Sequence, residues 1–232
     1  MILYGRNPVF EALRGRRRVR RVWATRGQGW PEGVEVLRAS TTELEELCGS
    51  PDHQGVCAEA DPYPCADAGG LLADGEALVV CLDEVQDPHN LGAVCRVAEA
   101  VGASGVVIPE RRAAEVTPAV CKASAGAVEH LPVARVRNLA DWLREAKGVG
   151  AWVYGADSEA ELGYDKPDYG GRVVLVLGAE GRGLRPRVAA TCDALVSLPL
   201  RGRVASLNVS TAAAALLYGI LQLRDGGLDK GP

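Results

Sequence analysis

From residue 78 onwards, short uninterrupted apolar runs alternate with helix-forming segments, and this alternation constrains the possible folds more than any other feature. The run LVVCLD over 78–83 is typical of a strand that is buried on both faces of a parallel sheet. Strands that alternate with helices predict an α/β protein whose parallel sheet is covered on both sides. The predicted strands are residues 78–83, 105–109, 130–136, 151–154, 173–177 and 195–198, and the predicted helices are 90–101, 117–128, 139–147 and 206–224.

The first 62 residues are predicted to form a smaller α/β unit. Asn7-Pro8 is typical of a helix start, because Asn caps helices and Pro fits their first position, and Gly15 ends this helix. The stretch 63–76, rich in Pro, Gly, Ala and Asp, predicts a linker, and residues 77–232 form the larger unit. The elements predicted in the first unit are helices over 9–14 and 43–48 and strands over 19–25 and 55–60.

Composition excludes several classes of protein. A chain of 232 residues with 47% hydrophobic residues can bury a core, and disorder throughout the chain is excluded. The seven cysteines contain no C-x-x-C pair and no metal-ligand spacing, so we expect reduced thiols and no metal site. No apolar run reaches the length of about 18 residues that a membrane span requires. These features favour a soluble, cytoplasmic protein.

The net charge of −4 hides a strongly basic segment at the start of the chain. Residues 1–26 contain eight arginines and a single acid, Glu11. Clustered arginines are the electrostatic signature of binding to a nucleic-acid backbone, although cations at a solvated helix end would be a simpler explanation. The arginines predicted to contact RNA are Arg6, Arg16, Arg17, Arg18 and Arg20.

A glycine-rich loop, GAEGRG over 178–183, follows the predicted strand 173–177. Because no Lys-Ser/Thr follows the glycines, this is not a phosphate-binding Walker loop, and its G-x-x-G-x-G order differs from the dinucleotide fingerprint. Flexible backbone beside the carboxylate of Glu180 favours a ligand site, and a tight strand-to-helix turn is the alternative.

Two further loops carry candidate polar residues. Asn90 stands at a predicted helix start, Gly92 allows a neighbour to come close, and Arg96 lies less than two turns further on. Taken alone, these residues could be a cap and a surface arginine. Ser206 and Asn208 stand at the start of the last predicted helix, where capping would also explain them.

Taken together, the three loops resemble the SpoU (TrmH-like) RNA 2'-O-ribose methyltransferases. The motifs are N-x-G-x-x-x-R over 90–96, L-G-A-E-G-x-G over 177–183 and S-L-N-V-S over 206–210. Residues 4–13 and 53–56 also resemble the small substrate-binding domain of that family, which is similar to an RNA-binding ribosomal-protein fold. The resemblance implies a SPOUT domain whose residues from about 173 to 215 form a trefoil knot.

The resemblance also implies the cofactor. S-adenosylmethionine would lie bent in the knot, with its adenine held by backbone around Gly178, Leu198 and Leu207. The other residues implied to bind the cofactor are Leu177, Glu180, Gly181, Pro199, Ser206 and Asn208.

Catalysis is implied to centre on Arg96, with Asn90, Glu180, Ser206 and Asn208 orienting the reacting groups. Because a guanidinium stays charged in proteins, Arg96 could clamp the target phosphate instead of acting as the base. Glu180 could instead accept backbone N–H groups within its loop.

The resemblance implies a homodimer that acts on RNA, and the two-unit arrangement is most similar to members that methylate a guanosine in 23S rRNA. A tRNA substrate and a non-catalytic role in RNA binding or ribosome assembly remain alternatives. A dinucleotide-dependent oxidoreductase is disfavoured, because D-P-H-N-L-G over 87–92 stands where G-x-G-x-x-G would be needed.

Overall fold

The computed structural model describes residues 1–26, 29–31, 33–204 and 206–228. These residues form two sheets, one of four strands near the start of the chain and one of six strands after it. No helix within this described part is both long and apolar enough to span a lipid bilayer.

The first unit is a mixed four-stranded sheet with one helix on each face. Its elements are β1 (Ile2–Tyr4), α1 (Arg6–Arg14), β2 (Val19–Ala24), β3 (Val36–Arg38), α2 (Thr41–Cys48) and β4 (Val56–Ala60). The strand order is β1-β4-β2-β3, with β4 antiparallel to β1 and β2, and β3 parallel to β2. The predicted helices and strands of this unit are confirmed, and β1 and β3 were not predicted, because three residues are too few to show a pattern.

Helix α1 begins earlier than predicted. Gly5 occupies the N-cap position with φ 93°, and no side chain caps the helix. Asn7 and Pro8 instead lie inside the first turn, where the missing N–H of proline costs little because first-turn N–H groups have no helical partner. The prediction that Asn7 caps this helix is therefore wrong, whereas Gly15 ends it as expected.

The second unit is a six-stranded parallel sheet in the order β10-β8-β9-β5-β6-β7. Its strands are β5 (Leu78–Asp83), β6 (Gly105–Pro109), β7 (Val133–Val136), β8 (Trp152–Ala156), β9 (Val173–Gly178) and β10 (Ala194–Val196). Its helices are α3 (Pro88–Ala100), α4 (Pro118–Ala123), α5 (Leu139–Gly148), α6 (Pro186–Ala189) and α7 (Val209–Leu228). The predicted α/β architecture is confirmed.

Alternate residues of the central strand β5 enter two different cores. Val80 and Leu82 pack on the side of the sheet that α3, α4 and α7 cover. Val79 and Cys81 face the side of α5 and α6. Since both faces of β5 are buried, the continuous apolar run is explained by helices on each side of the sheet.

The sheet has a switch point between β5 and β9. These strands are neighbours, but the chain leaves β5 through α3 towards β6 and leaves β9 through α6 towards β10 on the opposite side. Such a reversal opens a crevice at the carboxyl ends of the strands, where open α/β sheets bind ligands. The predicted trefoil knot over about 173–215 is consistent with this topology and stays a prediction.

Helices α3 and α4 of the second unit differ from their predicted bounds. Helix α3 starts before Asn90, since Asp87 is its N-cap and accepts a hydrogen bond from the backbone N–H of His89 at 2.9 Å. Helix α4 ends at Ala123, because Ala125 and Gly126 have φ of 52° and 90°, and a short 3₁₀ turn then spans Ala127–Glu129.

Residues 63–76, predicted as a linker, pack against the second unit instead of spanning a gap. The hydroxyl of Tyr63 donates to the carbonyl of Leu131 at 2.8 Å. Leu71 and Leu72 are buried in the core on the α5 side of the sheet. This stretch is therefore part of the packed structure.

The two units are joined by tight packing of α1 on α4 and the turn that follows it. Val9 and Val120 belong to one continuous hydrophobic cluster. A Cβ atom on Gly126 would lie only 2.7 Å from the Cβ of Glu11, so only glycine allows this approach. His130 Nε2 lies 2.7 Å from the Glu11 carboxylate across the same contact. These contacts fix the orientation of the first unit.

Candidate active site

The polar residues of the three predicted loops meet at the switch point. Asn208 Nδ2 donates to Asn90 Oδ1 at 3.0 Å and to Glu180 Oε2 at 3.3 Å. Asn90 follows β5, Glu180 follows β9, and Asn208 precedes α7, so residues 118 and 28 positions apart in sequence are brought together. The structure thus brings these three side chains together, and their catalytic roles stay predictions.

Asn208 also shapes the start of α7. Its Oδ1 accepts hydrogen bonds from the backbone N–H of Ser210 at 2.9 Å and from the Ser210 hydroxyl at 2.6 Å. Asn208 is thus both a cap and a member of the polar cluster, and its amide orientation is fixed from two sides. The helix begins at Val209, so the prediction that Ser206 lies in its first turn is wrong. Ser206 is an exposed residue of the preceding loop.

The glycine loop after β9 folds back on its own strand. A Cβ atom on Gly178 would lie 2.1 Å from the carbonyl carbon of Gly183, which is too close for any side chain. Gly181 and Gly183 have φ of 74° and 64°, a conformation that favours glycine. The N–H of Gly183 closes the turn on the carbonyl of Ala179 at 2.9 Å. Glycine is therefore required for the shape of this loop.

A buried carboxylate that was not predicted from the sequence anchors the end of this loop. Asp83, at the carboxyl end of β5, is 1% exposed. It accepts hydrogen bonds from the Arg185 backbone N–H at 2.8 Å and from its Nε at 2.7 Å. The loop 179–184 is therefore anchored at one end by β9 and at the other by the ion pair of Arg185 with Asp83 of β5. Asp83 could have been identified from the sequence, because it is the one charged residue at the end of an otherwise apolar predicted strand.

A cavity of about 510 Å³ opens beside the glycine loop at the ends of β8, β9 and β10. This volume lies within the range of about 300–1,000 Å³ that is usual for small-molecule sites. Seven of the nine residues predicted to bind the cofactor line it: Leu177, Gly178, Glu180, Gly181, Leu198, Ser206 and Leu207. Pro199 and Asn208 are not part of its lining.

One wall of the cavity was not predicted from the sequence. Asp157, Ser158 and Glu159, which follow β8, line the cavity together with the glycine loop. Since β8 is the neighbour of β9 in a parallel sheet, its carboxyl end had to open at the same edge. This loop could have been identified as part of the site from the sequence, because it follows a predicted strand of the parallel sheet.

Arg96 lies apart from the hydrogen-bonded cluster. It is exposed on α3, and no carboxylate of the described residues pairs with it. Its guanidinium is therefore accessible to a phosphate. Gly92, four residues before Arg96, allows α3 to pack closely on α4. A Cβ atom at this position would lie 2.5 Å from the Cβ of Ala123 in α4.

The structure divides the basic segment into structural and exposed arginines. Arg17 is buried with Glu129 in an ion pair in which each side chain is 2% exposed, so its prediction as an RNA contact is wrong. Arg16 donates to the carbonyl of His130 at 2.9 Å but stays exposed. Arg20 pairs with Asp61 on the surface.

Arg6 and Arg18 are exposed, and neither forms an ion pair with the described residues. They remain predicted RNA contacts. Within the same described part of the chain, no group of three or more His, Cys, Asp or Glu residues could hold a metal ion.

Comparison with known proteins identifies the family. Residues 77–218 match the SpoU rRNA Methylase family, and residues 2–65 match the family described as RNA 2'-O ribose methyltransferase substrate binding. This chain belongs to the SpoU rRNA methylase family, in the form that carries a substrate-binding domain before the methylase domain. The resemblance derived from the sequence motifs is confirmed.

Individual relatives differ in their stated substrates. The 23S rRNA (guanosine-2'-O-)-methyltransferase RlmB of Xanthomonas campestris is 44% identical over 200 residues, covering 84% of this chain and 80% of the relative. An uncharacterized tRNA/rRNA methyltransferase of Mycolicibacterium vanbaalenii is 37% identical over 240 residues, covering 96% and 76%. The crystal structure of the SpoU methyltransferase AviRb from Streptomyces viridochromogenes, in complex with AdoMet, superposes with a TM-score of 0.83 at 26% identity, covering 97% and 90%.

Replacing Gly178 with alanine should weaken cofactor binding at least 10-fold, because the new Cβ would collide with Gly183 and force the loop open. Titration calorimetry with S-adenosylmethionine measures this change. Gly148→Ala is the matched control, since a Cβ atom there meets nothing within 4 Å. Wild-type affinity in the Gly178→Ala variant would show that the loop does not shape the cofactor site.

Proposed function

We propose that this chain transfers a methyl group from S-adenosylmethionine to the ribose 2'-hydroxyl of a guanosine in 23S rRNA. The observation that carries the proposal is the hydrogen-bonded cluster of Asn90, Glu180 and Asn208 beside the glycine-loop cavity, in a chain of the SpoU family. The choice of guanosine and of 23S rRNA is supported by the identity to RlmB.

The cavity fits S-adenosylmethionine in its chemistry. Leu177, Leu198 and Leu207 offer apolar surface to an adenine ring, and Gly178 and Gly181 line the same cavity, where their backbone can meet its polar edge. AviRb, which has the same fold, binds AdoMet in its crystal structure. When bound, this cofactor supplies a methyl group on a positively charged sulfur.

The polar cluster would orient the ribose. Asn208 uses its amide group to fix Asn90 and Glu180, which leaves the Nδ2 of Asn90 and the second carboxylate oxygen of Glu180 for further hydrogen bonds. Ser206 lines the same cavity as Glu180 and adds a hydroxyl. Holding the 2'-hydroxyl in line with the methyl group accounts for much of the acceleration that such a transfer needs.

Arg96 would hold the phosphate next to the target ribose. An exposed guanidinium without a carboxylate partner among the described residues can bind a phosphate through two parallel hydrogen bonds. Because arginine stays charged, the proton of the 2'-hydroxyl would pass to that phosphate or to water. Arg96 thus acts by clamping and charge stabilisation.

The proposal includes a homodimer. Helices α3 and α7 lie side by side, and the apolar residues Tyr218 and Leu223 of α7 are 48% and 39% exposed. Large apolar side chains in such positions favour contact with a second copy of the chain. Arg96 lies on the helix next to this surface, so a second subunit could help to hold RNA at the site.

Deleting the gene should remove one 2'-O-methylguanosine from 23S rRNA, and mapping of ribose methylation in total RNA measures this loss. The wild-type gene should restore the mark, and a gene encoding Arg96→Ala should not. Loss of a mark from tRNA alone would favour the alternative substrate, which the tRNA/rRNA name of the mycobacterial relative leaves open. Unchanged methylation in both RNAs would contradict the proposed function.

A further inference from the structure

One aromatic pair on the first unit has no role in the chemistry described above. Phe10, the only phenylalanine of the chain, stacks on Trp30 with ring centroids 4.8 Å apart and an angle of 9° between the planes. Both side chains are half-buried. Trp30 also packs against the hydrophobic cluster that contains Val9, so only part of its ring is accessible to solvent.

The indole is held in place by a hydrogen bond. Trp30 Nε1 donates to the carbonyl of Arg26 at 3.2 Å. This bond and the stacking on Phe10 fix the ring before any ligand arrives. A fixed aromatic ring loses little conformational entropy when a second ring stacks on it.

Arginines flank the aromatic pair along α1. Arg6, Phe10 and Arg14 are spaced four residues apart, so they share one face of the helix. Both arginines are exposed. Arg14 pairs with Glu11 at 3.3 Å, but a surface pair of this kind is weak and is readily exchanged for a phosphate.

We propose that Arg6, Phe10, Arg14 and Trp30 form a surface that binds unpaired RNA, with one base stacked on the accessible part of the Trp30 ring and phosphates on the two arginines. This inference rests on the proposed function, in which RNA is the substrate. An aromatic ring between cations matches single-stranded RNA, whose bases are free to stack and whose backbone is anionic. A duplex would offer only its phosphates, since its bases are already stacked.

Trp30→Ala should weaken binding of a fluorescein-labelled, single-stranded RNA of 12 nucleotides about 10-fold, as the loss of one base–aromatic stack predicts. The same sequence annealed into a duplex should lose less than about twofold, because the duplex has no free base to stack. Fluorescence anisotropy measures both. Trp30→Phe keeps an aromatic ring and should recover most of the single-strand affinity.

Salt dependence separates stacking from charge. Trp30→Ala should leave the slope of log affinity against log salt unchanged, whereas the double change Arg6→Gln and Arg14→Gln should reduce it by about 1 to 2. Trp152→Ala is the matched control, because Trp152 is 56% exposed on β8, in the other unit. It should bind both RNAs as the wild type does.

Unchanged single-strand affinity in Trp30→Ala, or equal losses on single strand and duplex, would overturn the stacking surface. Such a result in a protein that still methylates RNA would leave the proposed function intact. A wild-type protein that binds neither RNA would also overturn the stacking surface, whereas the proposed function is decided by the methylation map.

Discussion

Replacing Arg96 with alanine should lower the rate of 2'-O-methylation about 10³-fold while S-adenosylmethionine still binds. The side chain is exposed on α3 and is not part of the cavity lining, so its loss leaves the cofactor site unchanged. What is lost is the cation that positions the phosphate beside the target ribose. Transfer of a labelled methyl group to RNA measures the rate, and calorimetry measures cofactor affinity.

Two further variants define the role of this arginine. Arg96→Lys keeps the positive charge but cannot form two parallel hydrogen bonds to a phosphate. If Arg96 binds the phosphate, this variant should retain part of the activity. Arg144→Ala is the control, since Arg144 is an exposed arginine on α5, across the sheet from α3. It should retain wild-type activity. A fully active Arg96→Ala enzyme would remove Arg96 from the reaction.

Glu129→Gln should lower the free energy of unfolding by about 3–5 kcal/mol, because it leaves the charge of Arg17 buried without a partner. Arg17 Nε donates to Glu129 Oε2 at 2.9 Å, and its Nη2 pairs with Oε1. Its other donors face neutral groups: the Met1 sulfur at 3.1 Å, the Asp61 carbonyl at 3.2 Å and the Cys121 sulfur at 3.2 Å.

Cys121 cannot replace the missing carboxylate. Burial raises the pKa of the Cys121 thiol to about 11, so this thiol is protonated and neutral at pH 7. Glu129 is therefore the anion that compensates Arg17. Urea or thermal denaturation measures the effect, and the expected loss corresponds to a fall in Tm of about 6–20 °C for a chain of this size.

Removing both charges should be less harmful than removing one. The double change Arg17→Met and Glu129→Leu should recover most of the lost stability, since neither charge then remains buried. Arg20→Met, which breaks the exposed pair with Asp61, is the matched control and should cost less than about 1 kcal/mol. A Glu129→Gln protein that unfolds at the wild-type midpoint would refute the structural role of this pair.

The strands of the parallel sheet could be predicted because their pattern is local. Strands β5 and β6 were predicted with the bounds that the structure shows, since both faces of each are buried and their apolar runs are continuous. The bounds of α7 were less accurate. Ser206 and Asn208 are equally good caps in sequence, and only the bonds of Asn208 to Ser210 show where the helix begins.

The basic segment shows where local information ends. Arg16, Arg17 and Arg18 are consecutive and chemically identical, so no local rule separates them. The structure buries Arg17 against Glu129, which is 112 residues away, and leaves Arg16 and Arg18 exposed. Which arginine is structural depends on a partner in the other unit.

The sequence by itself determined the α/β class, the three polar loops and the family to which they belong, because apolar periodicity and motif order are properties of the chain alone. Only the tertiary structure decided that Asn90, Glu180 and Asn208 share hydrogen bonds, that the loop after β8 lines the cavity, and that residues 63–76 are packed. These features depend on the order in which strands lie side by side, and that order is set by packing between segments far apart in the sequence.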